Sequence, residues 1–180
     1  LIDSNINPSK GFKLDIDITY EKNRFIEGLD LSDAGTLVPK WANNDLWRMQ
    51  QSSSLFFAIP STNRMTISLE SMAGTISKVE ADSFFHFFAG GLNGLKGYPF
   101  YSIEGKSMAI ATGTLRAPIF REKHIPLGWF IMQNSTLGFI GQIGDAWIQS
   151  IDEPNWLRSV GIQWRIIGFS FYNFPTSIGL

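Results

Sequence analysis

The sequence predicts an all-β fold, specifically an antiparallel up-and-down transmembrane β-barrel, from three observations. One segment alternates strictly between apolar and polar residues, short turns alternate with long loops along the chain, and aromatic residues lie near the ends of the strands. Strands with one apolar and one polar face, joined by short turns at one end and long loops at the other, are typical of outer-membrane barrels. A soluble β-barrel or β-sandwich is the alternative, because its strands alternate as well.

Composition narrows the class of protein. The 180 residues are enough for one domain with a sizeable core. Charged residues make up only 17% of the chain, below the roughly 25% of soluble proteins, while aromatic residues reach 14%. The 15 basic and 16 acidic residues give a net charge of −1, so no positive field favours nucleic acid. Cysteine is absent, which excludes disulfides and thiolate metal sites.

The clearest strand runs from residue 12 to residue 21, where five apolar residues alternate with Lys13, Asp15, Asp17, Thr19 and Glu21. The apolar residues are Phe12, Leu14, Ile16, Ile18 and Tyr20. A period of two over ten residues predicts a strand with one apolar face and one strongly polar face. Further strands are predicted at 46–59, 65–70, 106–117 and 159–166, with a last one after Pro175. Residues 128–147, interrupted by glycines, are predicted to form either one long strand or a bent pair of strand segments.

The connections between these strands fall into two groups. Long loops are predicted at 27–45, 76–105 and 149–156, and short turns at 60–63, 118–126 and 172–175. Because successive strands of a meander reverse direction, the two groups lie at opposite ends of the sheet.

The loop at 76–105 contains a glycine-rich segment with aromatic residues on both sides. Four glycines and a proline fall between Gly90 and Tyr101, so the segment is neither a helix nor an ordinary strand. Its aromatic residues provide apolar surface to bury, which a disordered loop lacks. Lys96 lies in its middle, and an ammonium group that packs inward requires a polar or anionic partner.

Three other motifs do not form sites. The uncharged segment 125–144 has the length of a membrane helix, but it contains a proline and four glycines. The sequence at 105–107 imitates a phosphate loop, yet Phe100 stands where that motif requires glycine. His86 and His124 have no ligand-spaced companions. We therefore predict no catalytic residue, no metal site and no cofactor, and we do not expect an enzyme.

The glycine-rich segment resembles the signature of a known family. The BamA/TamA-like superfamily, or bacterial surface antigen barrels, carries Gly-Gly and then Val/Leu-Arg-Gly-Tyr/Phe in a long loop that folds into the barrel lumen. The matching residues here are Gly90, Gly91, Leu95, Lys96, Gly97 and Tyr98. Residues 114–118 resemble the family's Arg-x-Pro strand end, residues 140–147 its Phe-x-Asp-x-Gly strand, and residues 7–12 a turn that precedes a strand.

The resemblance covers almost the whole chain and implies an architecture. On it, residues 1–180 are a single domain, about seven strands from the C-terminal portion of a sixteen-stranded barrel without its closing strand. The chain begins without the regions of a signal peptide, and we expect it to be a piece of a longer protein. The implied location is the outer membrane of a Gram-negative bacterium. The implied function is insertion of proteins into that membrane or their translocation across it.

The implied partners are the lipid bilayer, the remaining strands of the barrel, and substrate outer-membrane proteins or periplasmic proteins. In the family, the loop arginine pairs with the strand aspartate. Here those positions hold Lys96 and Gln142, with Gly144 and Asp145 completing the partner strand. We expect Lys96 to point at Gln142, with Glu70, Glu104 or Asp145 supplying negative charge nearby. The alternative is that the loop no longer docks.

Two other functions stay open. The tail at 168–176 resembles the barrel ends of large envelope proteins with Tol-like β-propeller repeats, which favours a passive channel or a structural anchor that carries periplasmic modules. A soluble ligand-binding β-barrel is the other. In that case the faces bearing Phe12 and Val160 should pack on each other.

Overall fold

The computed structural model describes residues 8–60, 65–78, 83–148, 155–171 and 174–179. These residues form β-strands and one 3₁₀ turn, Ser83–Phe85. The strands are β1 Gly11–Leu31, β2 Leu37–Ala58, β3 Thr66–Ile76, β4 Phe87–Phe88, β5 Glu104–Gly105, β6 Ser107–Phe120, β7 Ile125–Leu127, β8 Phe130–Trp147, β9 Leu157–Ser170 and β10 Phe174–Gly179. No helix in the described ranges is long and apolar enough to cross a membrane.

Seven strands form one antiparallel meander in the order β1-β2-β3-β6-β8-β9-β10, and the short β7 pairs with β8. The sheet curls into a half-barrel, so the predicted all-β antiparallel fold is confirmed. Strands β1 and β10 are its edges among the described strands. The membrane-spanning nature of the sheet and the sixteen strands of the whole barrel remain predictions.

The strand register defines two faces. One row of directly paired residues runs across six strands as Phe12, Leu55, Leu69, Gly113, Gly141 and Val160. The adjacent row runs as Lys13, Ser54, Glu70, Thr112, Gln142 and Ser159. Neighbouring residues of a strand point to opposite faces, so these rows lie on opposite sides of the sheet. We call the side of the first row the outer face and the side of the second row the inner face.

The core lies between the inner face and the segment that joins β3 to β6. One buried cluster contains Leu46, Ile76, Phe85, Phe87 and Met108, and the other contains Ala89, Leu95, Ile103 and Ile110. Each cluster combines residues of the sheet with residues of the connecting segment. That segment is therefore part of the core and packs on the inner face.

The prediction of a long loop at 27–45 is wrong. Strands β1 and β2 continue past the sheet as a two-stranded ribbon that turns at residues 32–36. Strand β3 pairs only with Arg48–Ala58, so most of the ribbon is exposed on both sides. A bulge between Ile26 and Gly28 also breaks the alternation. Because no face of the ribbon is consistently buried, its sequence shows no period of two.

Smaller differences concern strand ends. Pro118 does not close β6, which continues to Phe120 through a bulge between these two residues. The segment predicted at 128–147 is the single strand β8, and the predicted loop at 76–105 contains the short β4–β5 pair. Residues 61–63 and 172–173 of two predicted turns, residues 149–154 of the third predicted loop, and Asn7 lie outside the described residues.

Candidate functional site: the docked loop

The candidate site is the segment 83–106, which folds onto the inner face as a narrow hairpin. Its base is the pairing of Phe87 with Gly105 and of Phe88 with Glu104. The hairpin continues through a hydrogen bond from the Ala89 N–H to the Ile103 carbonyl, 2.9 Å long. The loop therefore has its own backbone pairing and is not held by side chains alone.

The tip of the loop is a compact glycine turn. The Gly91 N–H donates to the Tyr98 carbonyl at 3.0 Å, with Gly91 at a φ of 91° that favours glycine. Gly90 forms an isolated bridge with Leu95, and a Cβ at Gly90 would lie 2.2 Å from the Pro99 carbonyl oxygen. The Gly-Gly pair is thus required by backbone geometry, because one glycine sets the turn and the other permits close approach.

Leu95 fixes the tip to the sheet. Its side chain is 0% exposed and packs in the cluster with Ala89, Ile103 and Ile110. Its N–H donates to the Ala89 carbonyl at 2.7 Å. Burial of a leucine side chain stabilises by about 1.5–3 kcal/mol, so Leu95 is the apolar anchor of the tip.

Gln142 on β8 is the polar anchor. Its side chain is 7% exposed and all four of its hydrogen-bonding positions are used. The amide oxygen accepts from the Lys96 N–H at 2.8 Å and from the Ser159 hydroxyl at 3.0 Å. The amide nitrogen donates to the Gly94 carbonyl and to the Thr112 hydroxyl, both at 3.0 Å. One amide thus connects the loop tip to three neighbouring strands.

Lys96 meets Gln142 through its backbone N–H, whereas the predicted hydrogen bond from the lysine side chain to this amide is not found among the described residues. The Lys96 side chain is exposed and lines a small cavity together with Glu70. The other two carboxylates predicted to lie near Lys96 have different neighbours. Glu104 bonds to His86 Nδ1 at 2.5 Å, and Asp145 lies on the outer face with its carboxylate accepting the Ala146 N–H at 2.8 Å.

The other predicted site residues lie around this contact. Tyr98 is half-buried and its hydroxyl donates to the Arg158 carbonyl on β9 at 3.1 Å. Gly144 faces the paired Ile110, whose side-chain carbon would be 2.9 Å from a Cβ at that position. Because Gly144 has no side chain, the Ile110 side chain can occupy this space and pack against Leu95.

The sequence reasoning missed a second anchor at the base of the loop. The Phe87 ring lies over Gly74 of β3, where a Cβ would be 2.7 Å from the ring. The Arg48 guanidinium carbon lies 4.4 Å from the centre of the same ring, and its Nη1 donates to the Phe85 carbonyl at 3.2 Å. The sequence carries no clear signal for this contact, because Gly74 lies between the strand predicted at 65–70 and the loop predicted at 76–105.

The arrangement is one of packing and hydrogen bonding. Within the described ranges, no group of three or more His, Asp or Glu side chains is placed to hold a metal ion. Chemically, the site can hold a loop firmly against the inner face of a curled sheet and thereby fill the space in front of β3, β6 and β8.

Comparison with protein families, with curated proteins and with solved structures found no match to this chain. The likeness to the bacterial surface antigen barrels therefore depends on the residues quoted above and remains a prediction.

Proposed function

We propose that this chain is part of an outer-membrane β-barrel of the BamA/TamA-like superfamily, and that the barrel inserts proteins into the outer membrane or translocates them across it. The observation that carries the proposal is an outer face that exposes large apolar side chains across the sheet, opposite an inner face that carries a polar row and is covered by a docked loop. Each property of this face supports the proposal separately.

The outer face exposes large apolar side chains over the whole width of the sheet. Val160 is 91% exposed, Ile162 66% and Ile16 63%. The wider set is Phe12, Leu14, Ile16, Ile18, Met49, Phe57, Leu69, Leu115, Phe139, Val160 and Ile162. An exposed apolar surface of this extent is unusual for a soluble monomer. Phe12 and Val160 also lie in one row of one sheet, so their faces do not pack on each other as the soluble alternative requires.

Aromatic residues mark both ends of this apolar band. At the loop end, Tyr20 and Trp47 pair at 5.0 Å between ring centres, and Trp147 lies in an adjacent row. At the turn end, Trp129 stacks on Phe171 at 5.3 Å. Strand β2 places Trp47 and Phe57 ten residues apart, which is about 33 Å along a strand. A tilt of about 40° reduces this to about 25 Å, the height of the apolar band of an outer-membrane barrel.

The two edges of the sheet support the same proposal. Strands β1 and β10 are the first and the seventh strand of the antiparallel sheet. Since direction alternates from strand to strand, both run from the turn end to the loop end. An all-antiparallel barrel can close only if an odd number of further strands joins these two edges. A second copy of this sheet in the same orientation would not satisfy this condition, because β10 of one copy would then pair in parallel with β1 of the other. The sixteen-stranded barrel of the family satisfies this condition, and an open edge in lipid is costly.

The docked loop braces part of the wall of the proposed barrel. Gln142 and Tyr98 connect the loop to β6, β8 and β9, so this part of the wall is held as one unit. In the family resemblance, the barrel opens laterally at a weak seam between its first and last strands. A wall braced by the loop would stay rigid while that seam, which lies outside this chain, opens.

Depletion of the parent protein tests the function. Because a client protein needs the barrel to reach the membrane, depletion should lower the amounts of other outer-membrane proteins in quantitative proteomics of isolated membranes. Re-expression should restore them. An unchanged outer-membrane proteome would contradict insertion or translocation and would favour the structural anchor.

A further inference from the structure

The outer face contains a hollow of about 640 Å³. Its floor consists of small residues on neighbouring strands, among them Ser71, Ala111, Gly113 and Gly141. The Ser71 hydroxyl bonds to that of Ser53 at 2.8 Å, so these two polar groups satisfy each other. The floor is therefore apolar in effect, and it lies below the level of the surrounding side chains.

Larger apolar side chains form the walls of the hollow. Leu69 and Val160 lie in the row of Gly113 and Gly141, and Ile143 lies in the row of Ala111. Leu69 is 50% exposed and Val160 is 91% exposed, so no part of the described chain covers the hollow. Its size is within the range of roughly 300–1,000 Å³ that small-molecule sites occupy.

One end of the hollow carries a cation. Arg158 is the second residue of β9, pairs with Ile143 on the outer face and lines the hollow. Its side chain is exposed and forms no ion pair with any residue that the structure describes. A guanidinium beside apolar side chains is stabilised by an anion that binds it bidentately, as phosphate does.

We propose that this hollow binds an anionic membrane lipid, with one acyl chain along the small-residue floor and the headgroup phosphate on Arg158. The proposal rests on the proposed function, since it requires the outer face to lie in lipid. Arg158 follows Trp156 near the loop end of β9 and pairs with Ile143, four residues inside Trp147, so its long side chain reaches a headgroup by extending toward the loop end if the apolar band spans the membrane. An acyl chain then fills a groove that only small side chains leave open.

The test uses the parent protein in phosphatidylcholine nanodiscs that contain a small fraction of a lipid with a diazirine in its acyl chain. The headgroup of this probe is either phosphatidylglycerol or phosphatidylcholine. Arg158→Gln removes the cation, and Lys22→Gln is the control because Lys22 is an exposed cation beyond the hollow. Gly141→Leu fills the floor, and Gly161→Leu is its control on the inner face. A Cβ at either glycine meets nothing within 4 Å, so both variants should fold.

Phosphatidylglycerol has a net charge of −1, whereas the choline ammonium neutralises the phosphate of phosphatidylcholine. We therefore expect photolabelling of the β6 and β8 peptides by phosphatidylglycerol to exceed that by phosphatidylcholine about fivefold, which corresponds to about 1 kcal/mol per basic residue near a membrane surface. Arg158→Gln should abolish this preference, and Gly141→Leu should reduce labelling by both lipids. Equal labelling by both lipids, or a preference that survives Arg158→Gln, would overturn the proposal. Failure of the parent to enter nanodiscs would instead overturn the proposed function itself.

Discussion

The Lys96 N–H donates to the side-chain amide oxygen of Gln142 at 2.8 Å, while the lysine side chain is exposed and lines a small cavity. The loop is therefore held to the strand by a neutral backbone contact. An amide suits this position because it donates and accepts at once, receiving the Lys96 N–H and donating to the Gly94 carbonyl. A carboxylate could do only the first.

Gln142→Ala should release the loop tip. The substitution leaves the Lys96 N–H and the Gly94 carbonyl without their partner, and each unsatisfied buried group costs about 1–3 kcal/mol. We expect the free energy of loop opening to fall by about 2 kcal/mol. Hydrogen exchange in a peptide that spans residues 89–103 should then be about 30-fold faster. Gln163→Ala is the matched control, since Gln163 is a half-buried glutamine on β9. Equal exchange in both variants would show that Gln142 does not hold the loop.

Lys96→Ala should leave the docked loop in place. The variant keeps the backbone N–H that bonds to Gln142 and removes only an exposed side chain, a change that usually alters stability by less than about 0.5 kcal/mol. Exchange in the same peptide should change by no more than about twofold. Loop opening as large as in Gln142→Ala would mean that the lysine ammonium, and not the backbone, makes the decisive contact.

Gly91→Ala and Gly97→Ala should differ in their effect on the loop. Both glycines have positive φ angles, 91° and 96°, so both variants carry a backbone cost of about 1–2 kcal/mol. A Cβ at Gly91 would also lie 2.4 Å from the Phe100 ring, whereas a Cβ at Gly97 meets nothing within 4 Å. Thermal unfolding should therefore show Gly91→Ala as the less stable by about 1 kcal/mol or more. The reverse order would contradict this account of the tip.

Much of the fold could be predicted because burial imposes a pattern. Strand β1 has a strict period of two near Phe12 and Ile16, where one face of the sheet is apolar and the other polar. The ribbon beyond Trp47 was missed because it is largely exposed on both faces and carries a bulge after Ile26. Without a buried face, nothing in the sequence there distinguishes a strand from a loop.

The candidate site could be predicted in part. The glycines around Gly91 and the position of Gln142 were found from the family motif, and the structure brings them together. The motif does not say which atoms meet, so the role of the Lys96 backbone was missed. The contact of Phe87 with Gly74 was also missed, because the two residues are separated in the sequence and belong to no recognised motif.

Single cysteines should distinguish the two faces in native membranes, and the sequence contains no other cysteine. Ile18→Cys lies on the exposed outer face and Asp17→Cys on the inner face. If the outer face lies in lipid, a membrane-impermeant maleimide should label Asp17→Cys and should label Ile18→Cys only after the membrane is dissolved in detergent. Val160→Cys and Gly161→Cys provide the same comparison on β9, because Gly161 is an exposed position on the inner face. Equal labelling of both faces in intact membranes would contradict the lipid-facing assignment.

The most direct test of the membrane-barrel proposal is fractionation of cells that express the parent protein, followed by gel electrophoresis of unheated and heated samples. A closed barrel resists unfolding in detergent until it is heated, because every strand edge is paired. We predict that the protein is found with the outer membrane and that the unheated form migrates faster than the heated form. A protein found in the soluble fraction, with the same migration before and after heating, would contradict the account.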